Sequence, residues 1–249
     1  FPFLNHADVP RMLEGGYTSP AFGLHFWPWW NEQAWDETRR QIDAMHRLAR
    51  IDGRVAVAHT VADVRRAKAE GRLAAFAGAE GAHLLGGRID RVAELRRRDV
   101  RYLTLAHFSK NAAATPSLGI GADPVSGLTP WGRDLVAECN RVGLIVDVAH
   151  VNPQGVLDAC ACSRRPVVAP HTGVKGVRPH ARNVDDAGLR AIAATGGVVG
   201  IMFAPCFLAE SNEADSTFVL DHVEYVVRTV GIDHVALGSD FDGFLPTIP

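Results

Sequence analysis

The chain has 249 residues, of which 47% are hydrophobic and 22% are charged, and its net charge is −2. This composition is typical of a globular protein and excludes the basic excess needed to bind nucleic acid or an anionic membrane surface. The apolar runs have the length of strands, so we expect no membrane segment. The four cysteines are too few and too irregularly spaced for a disulfide framework. Cys160-Ala-Cys162 could hold a metal, but on a predicted helix a buried free thiol is the commoner state.

Short apolar runs alternate with segments of helical spacing along the whole chain. The predicted strands lie in 1–8, 55–59, 73–78, 101–106, 143–150, 166–171, 198–203 and 234–238. The predicted helices lie in 33–50, 60–71, 89–98, 129–141, 185–195 and 217–230, and a further helix begins after Asn152-Pro153. Two segments rich in Gly and Pro, 9–31 and 108–128, are predicted to be loops.

Strict alternation of strands and helices predicts a parallel sheet, and eight such units predict an α/β fold of the (β/α)₈ TIM-type barrel class. An open doubly wound sheet is the alternative, but no Gly-rich dinucleotide fingerprint follows the first strand. No linker divides residues 1–249, so we expect a single barrel domain. Because the sequence stops soon after the eighth strand, we expect the last helix to be missing from it.

Histidines and carboxylates follow the predicted strands. His150 and His171 end two strands joined by one crossover helix, so they should lie side by side at one rim of a parallel sheet. Active sites of such barrels lie at this rim. The complete set at the strand ends is His6, Asp8, His59, Glu80, His107, His150, His171 and Asp240.

These residue types suit a divalent metal. Imidazole and carboxylate groups are ligands for Zn²⁺, although Mn²⁺ and Co²⁺ bind similar sites. Two ions held about 3.5–4 Å apart need a shared bridge, which a carboxylate can supply. His6 and Asp8 are two residues apart and would face one side of a strand. Glu80 and Asp240 are the natural candidates for the bridge and the closing ligand.

Several motifs of the chain resemble those of the membrane (renal-type) dipeptidases, a zinc peptidase family among the metal-dependent amidohydrolase barrels. The resemblance extends from about residue 3 to residue 243, with the motifs in the family's order. The motifs are His6-Ala-Asp8-Val-Pro, Ala79-Glu-Gly-Ala-His83, Arg101-Tyr-Leu-Thr-Leu-Ala-His107, Gly127-Leu-Thr-Pro-Trp-Gly-Arg133, Val146-Asp-Val-Ala-His150, Arg182-Asn183 and Gly238-Ser-Asp-Phe-Asp-Gly243.

The resemblance implies a binuclear zinc dipeptidase that uses a metal-bridging hydroxide. It implies one zinc bound by His6, Asp8, Glu80 and Asp240, and another bound by His150, His171 and the bridging Glu80. His107 would contact the scissile carbonyl, and Arg182 would bind the C-terminal carboxylate of the dipeptide. Asp240 would face the substrate amine and take part in proton transfer.

Alternatives remain at this stage. The same site could serve an N-acyl-D-amino-acid deacylase or a lactamase, or the barrel could bind metal without turnover. A homodimer is compatible with the sequence, and a cytoplasmic location is favoured unless a signal or anchor lies outside it. His59 and His83 are expected to be structural. The other histidines are expected at the surface or in the core; they are His25, His46, His180, His222 and His234.

Overall fold

The structure is a computed structural model that describes residues 6–27, 33–210, 214–243 and 247–248. Its eight strands all pair in parallel, in the order β1-β3-β4-β5-β6-β7-β8, with β2 paired to the first half of β3. The strands are β1 Ala21–Leu24, β2 Val55–Val57, β3 Leu73–Ala79, β4 Val100–Thr104, β5 Ile145–Asp147, β6 Val167–Thr172, β7 Val199–Ile201 and β8 Val235–Leu237.

Helices separate most of these strands, and the sheet curls as it does in a (β/α)₈ barrel. The predicted fold class is therefore confirmed. The helices are α1 Val9–Glu14, α2 Ala34–Ile51, α3 Val61–Ala69, α4 Arg91–Arg97, α5 Pro130–Val142, α6 Pro153–Cys162, α7 Asp186–Ala194, α8 Pro205–Leu208 and α9 Ser216–Val230. Within the described ranges, no helix combines the length and the apolar character that crossing a bilayer requires.

Helix starts follow the polar residues that the sequence places there. Thr60 accepts a hydrogen bond from the Asp63 backbone N–H, and the Asp63 side chain accepts one from the Thr60 backbone N–H. Thr129 caps α5 in the same way, through the Gly132 N–H. Each cap satisfies a donor that the helix itself leaves unpaired, which stabilises a helix by about 1 kcal/mol. These local signals therefore set the boundaries between strands and helices.

The predicted loop at 9–31 is wrong in its first two thirds. It contains α1 and β1, and β1 pairs with β3 so that Leu24 lies opposite Ala79. Four residues among glycines and prolines carry too little periodicity to indicate a strand, and pairing with β3 stabilises it instead. Residues 28–31 lie outside the described residues. So do residues 1–5 of the predicted first strand.

Close approach of β6, β7 and β8 requires glycine. A Cβ at Gly238 would lie 1.7 Å from the Pro170 carbonyl oxygen, and one at Gly200 would lie 2.1 Å from the same atom. Only glycine allows backbone to come this near. The end of β8 is thereby held against the end of β6, which carries His171.

The predicted loop at 108–128 contains neither helix nor strand. It folds over the carboxyl ends of the strands, where Pro116 bridges to Val151 and the Ser117 N–H donates to the His150 carbonyl oxygen over 2.6 Å. This loop therefore forms part of the rim at which the candidate residues collect.

Candidate metal centre

Glu80 lies at the centre of the rim. It directly follows β3, and its backbone N–H donates to the Leu24 carbonyl oxygen over 3.1 Å. Its Oε1 lies 3.1 Å from His150 Nε2 and 3.2 Å from His171 Nε2. The two imidazole nitrogens are 2.9 Å apart. Three ligand atoms thus surround one point, as the βαβ pattern predicts.

The second oxygen of the same carboxylate faces another pair of imidazoles. Glu80 Oε2 lies 3.4 Å from His25 Nδ1 and 3.6 Å from His107 Nε2. The rings of His25 and His107 meet edge to face, with centroids 5.0 Å apart. Each oxygen of Glu80 therefore belongs to its own group of histidines.

These distances fit metal coordination. Zinc binds nitrogen and oxygen at about 2.0–2.2 Å, so neighbouring ligands in a tetrahedral site lie about 3.3 Å apart. The separations in the two groups run from 2.9 to 3.6 Å. A carboxylate with one group on each oxygen is also the arrangement that a bridging ligand needs. The donor set is compatible with two divalent cations.

Burial shifts the pKa values of these groups. It disfavours the Glu80 carboxylate, but His107 and His150 hold the pKa of Glu80 well below its usual value. Burial lowers the pKa of His107 to about 4 and that of His150 well below its ordinary value. Neutral imidazole beside ionised carboxylate is the protonation state that binds a cation.

Asp240 lies three residues after β8, with a left-handed backbone at φ 59°. Burial raises the pKa of Asp240, although His171 and Arg182 oppose the shift. Burial also acts on His171, but Asp240 and Glu80 outweigh it and raise the pKa of that imidazole. Asp240 is therefore electrostatically coupled to the group on Oε1 of Glu80.

Arg182 is buried, with 3% of its surface exposed. Its Nη2 donates to the His171 carbonyl oxygen over 2.7 Å. Burial lowers the pKa of Arg182, and the carboxylates of Asp240 and Glu80 oppose this. A guanidinium is thus fixed directly behind one of the clustered imidazoles.

His6 and Asp8 are placed differently. The backbone N–H of His6 donates to Asp242 Oδ1 over 2.7 Å, and the Asp242 N–H donates to His6 Nδ1 over 3.1 Å. Asp8 caps α1, since its Oδ1 accepts from the Arg11 N–H. Among the described residues, neither side chain belongs to the two groups around Glu80. His6 nevertheless lies against the segment that carries Asp240.

Of the other histidines, His59 and His83 lie outside the two groups around Glu80, and His25 belongs to one of them. His59 pairs with Asp99 away from Glu80, with 2.7 Å between Nδ1 and Oδ1. His83 is buried and packs its ring on Phe26. We expected His25 at the surface or in the core, but it joins the site. Its position directly after a strand is the signal that would have identified it, and that signal was missed because β1 was predicted to be loop.

Comparison with known proteins agrees with this geometry. Residues 3–248 match the model of the membrane dipeptidase family, peptidase family M19. Dipeptidase tcpJ of Claviceps purpurea (strain 20.1) is 35% identical over 254 residues, covering 96% of this chain. The chain spans 58% of the length of that curated relative.

Solved structures are similar as well. The metallopeptidase named dipeptidase AC is 32% identical, with a TM-score of 0.88 over 98% of this chain and 77% of its own. A metallopeptidase from Rhodobacter sphaeroides was solved with a phosphinate mimic of the dipeptide L-Ala-D-Ala. It is 30% identical, with a TM-score of 0.87 over 98% of this chain and 78% of its own.

Proposed function

Because this chain belongs to the membrane dipeptidase family, peptidase family M19, we propose that it is a zinc-dependent metallopeptidase that hydrolyses dipeptides. The observation that carries the proposal is the Glu80 carboxylate, whose two oxygens face separate pairs of imidazoles within 3.6 Å. Such a bridge supports two cations rather than one.

His150, His171 and Glu80 would hold one zinc ion. Glu80, His6, Asp8 and Asp240 are the proposed ligands of the other. When bound, the two ions would lower the pKa of a shared water toward neutrality and polarise the peptide carbonyl, which makes that water the nucleophile. The chain's own residues then have to bind the dipeptide, orient it and handle protons.

His107 is proposed to contact the carbonyl oxygen of the scissile bond. Burial lowers its pKa to about 4, so the ring is neutral near pH 7 and carries an N–H donor. A fixed donor at the point where negative charge develops stabilises the transition state more than the ground state. Its ring is held between those of His25 and His150, with centroids 5.0 and 4.6 Å away.

The two ends of a dipeptide carry opposite charges, and the site offers a partner for each. Arg182, anchored on the His171 carbonyl oxygen, would bind the free carboxylate through its fork of N–H donors. Asp240 would bind the free amine and accept or return a proton during cleavage. Burial raises its pKa, the direction that helps a carboxyl group to hold a proton.

The Rhodobacter sphaeroides relative was solved with a mimic of L-Ala-D-Ala. We therefore propose that dipeptides with a D-residue at the second position are substrates of this chain. The test is to purify the protein, count metals by elemental analysis, and assay L-Ala-L-Ala and L-Ala-D-Ala before and after chelation.

We expect about two zinc ions per chain and cleavage that chelation abolishes and zinc restores. N-acetyl-D-alanine serves as the comparison, since it has a carboxylate but no free amine. Cleavage of that compound without cleavage of either dipeptide would favour a deacylase. Bound zinc with no cleavage of any of the three would refute catalysis of this kind.

A further inference from the structure

His25 reaches the site from the end of β1, a strand that supplies none of the predicted metal ligands. His25 directly follows β1, just as Glu80 directly follows β3. The two strands pair so that Leu24 lies opposite Ala79. The two residues therefore occupy matching places at neighbouring strand ends. This register explains why the imidazole reaches the carboxylate.

The backbone of His25 is fixed from outside the site. Gln41 on α2 accepts from the His25 N–H over 3.0 Å and donates from Nε2 to the His25 carbonyl oxygen over 2.7 Å. Gln41 is itself held by Glu37, whose Oε1 lies 3.0 Å from the same Nε2. Two hydrogen bonds to one residue's backbone leave mainly its side-chain torsions to vary, as a preorganised ligand requires.

The contact of His25 with Glu80 has the length of a ligand pair. Its Nδ1 lies 3.4 Å from Glu80 Oε2. A good N–H···O hydrogen bond is about 2.7–3.2 Å long, whereas neighbouring ligands of a tetrahedral zinc lie about 3.3 Å apart. The separation between the corresponding atoms on the other side of the carboxylate, His171 Nε2 and Glu80 Oε1, is 3.2 Å.

We propose that His25 is a metal-binding residue, and that its Nδ1 and Glu80 Oε2 bind the same divalent cation. This inference rests on the proposed function and adds a ligand to the cation on the Oε2 side of Glu80. His107 Nε2, 3.6 Å from that oxygen, keeps its role toward the substrate carbonyl that this cation polarises.

The test is metal binding by His25→Ala and His25→Gln, each compared with the wild-type chain. Both Gln41 hydrogen bonds go to the backbone of residue 25, so neither substitution removes them. Zn²⁺ dissociation constants are measured by chelator competition, and the visible absorption of the Co²⁺-loaded proteins reports the ligand set. Losing an outer residue weakens a metal site about 10- to 100-fold, so losing a direct ligand should weaken it about 100-fold or more.

His46→Gln is the matched control. His46 also pairs with a carboxylate, since its Nε2 lies 3.2 Å from Asp99 Oδ2, but neither residue belongs to the two groups around Glu80. We expect both His25 variants to keep one tight zinc, lose the other and change the Co²⁺ spectrum, while His46→Gln keeps two. Far-ultraviolet circular dichroism of the metal-free proteins checks that all are folded.

Two tight zinc ions and an unchanged Co²⁺ spectrum in both His25 variants would overturn the inference. Dipeptide cleavage by the wild-type chain is assayed in the same preparations. If the wild-type chain cleaves dipeptides and the His25 variants retain both metals, the ligand role fails and the proposed function stands. If His25 variants lose a metal that the wild-type chain binds without cleaving anything, the ligand role stands and the function fails.

Discussion

The Nε2 atoms of His150 and His171 lie 2.9 Å apart. One histidine lies three residues after β5 and the other lies within β6, so the crossover through α6 brings them together. His150 has a left-handed backbone at φ 65°, and Asp147 Oδ1 accepts the Ala149 N–H just before it. Parallel strands explain the shared rim, and this local turn explains how the His150 ring faces that of His171.

Glu80→Gln should abolish most of the activity, because an amide keeps the shape of the bridge but loses the charge that neutralises two cations. We expect kcat/KM for L-Ala-D-Ala to fall about 1000-fold or more, with less than two zinc ions bound. Glu138→Gln is the control, since that carboxylate pairs with Arg141 on α5. Full activity of the Glu80 variant would refute the bridging role.

His107→Gln should lower kcat about 100- to 1000-fold, the usual effect of removing a donor to a developing oxyanion. Zinc content should remain at two, since His107 is assigned to the carbonyl. His83→Gln is the comparison, because burial also lowers the pKa of His83 to about 4. A lost zinc ion in the His107 variant would instead make that residue a ligand.

Arg182→Gln should raise KM for free dipeptides about 10- to 100-fold, because a charged hydrogen bond contributes about 1.5–3 kcal/mol. Dipeptide amides, which lack the carboxylate, should be cleaved by the variant and the wild-type chain with similar kcat/KM. Arg178→Gln removes a guanidinium from the same loop, one that pairs with Glu210, and should change neither. An equal loss with both substrate types would show that Arg182 only supports the fold.

Asp242→Asn should weaken one zinc site about 10- to 100-fold, as loss of an outer carboxylate does. Asp242 Oδ1 accepts the backbone N–H of His6 over 2.7 Å, so it can position that residue if His6 is a ligand. Asn tolerates the left-handed backbone at this position, where φ is 61°. Asp99→Asn, at φ 70° and also beside a histidine, should leave zinc affinity unchanged. Unaltered zinc affinity in the Asp242 variant would argue against His6 as a ligand.

Asp147 should make the metal-free protein less stable as the pH rises. Burial raises its pKa from 3.8 to about 7, against the opposing effects of His171 and Thr104. Between these values the folded chain keeps a proton that the unfolded chain releases, so the free energy of unfolding falls as pH increases. Well below pH 3.8 both states hold the proton and the dependence disappears.

Asp147→Asn removes this titration and can keep the contacts with Thr104 and the Ala149 N–H. Urea unfolding of both chelated proteins from pH 4 to 7 isolates the effect, because the buried histidines are common to both. We expect the variant to gain stability relative to the wild-type chain as pH rises, by at most about 4 kcal/mol. A constant difference across this range would contradict the raised pKa.

Local sequence patterns were sufficient for the order of the strands after residue 33 and for the group on Oε1 of Glu80. Thr60 and Thr129 mark the starts of helices, and the apolar runs before Glu80 and His150 indicate buried strands. Once strands are parallel, their carboxyl ends share a rim, so residues that follow them meet without any further information. The confirmed fold class follows from the same periodicity.

Tertiary structure alone decided the other contacts. β1 is too short to be recognised from its sequence pattern. It forms a strand because it pairs with β3, and this pairing brings His25 to Glu80. His6 meets Asp242 across 236 residues of chain. Periodicity and capping act over a few residues, so they specify the elements, whereas the partner of each side chain depends on how distant elements pack.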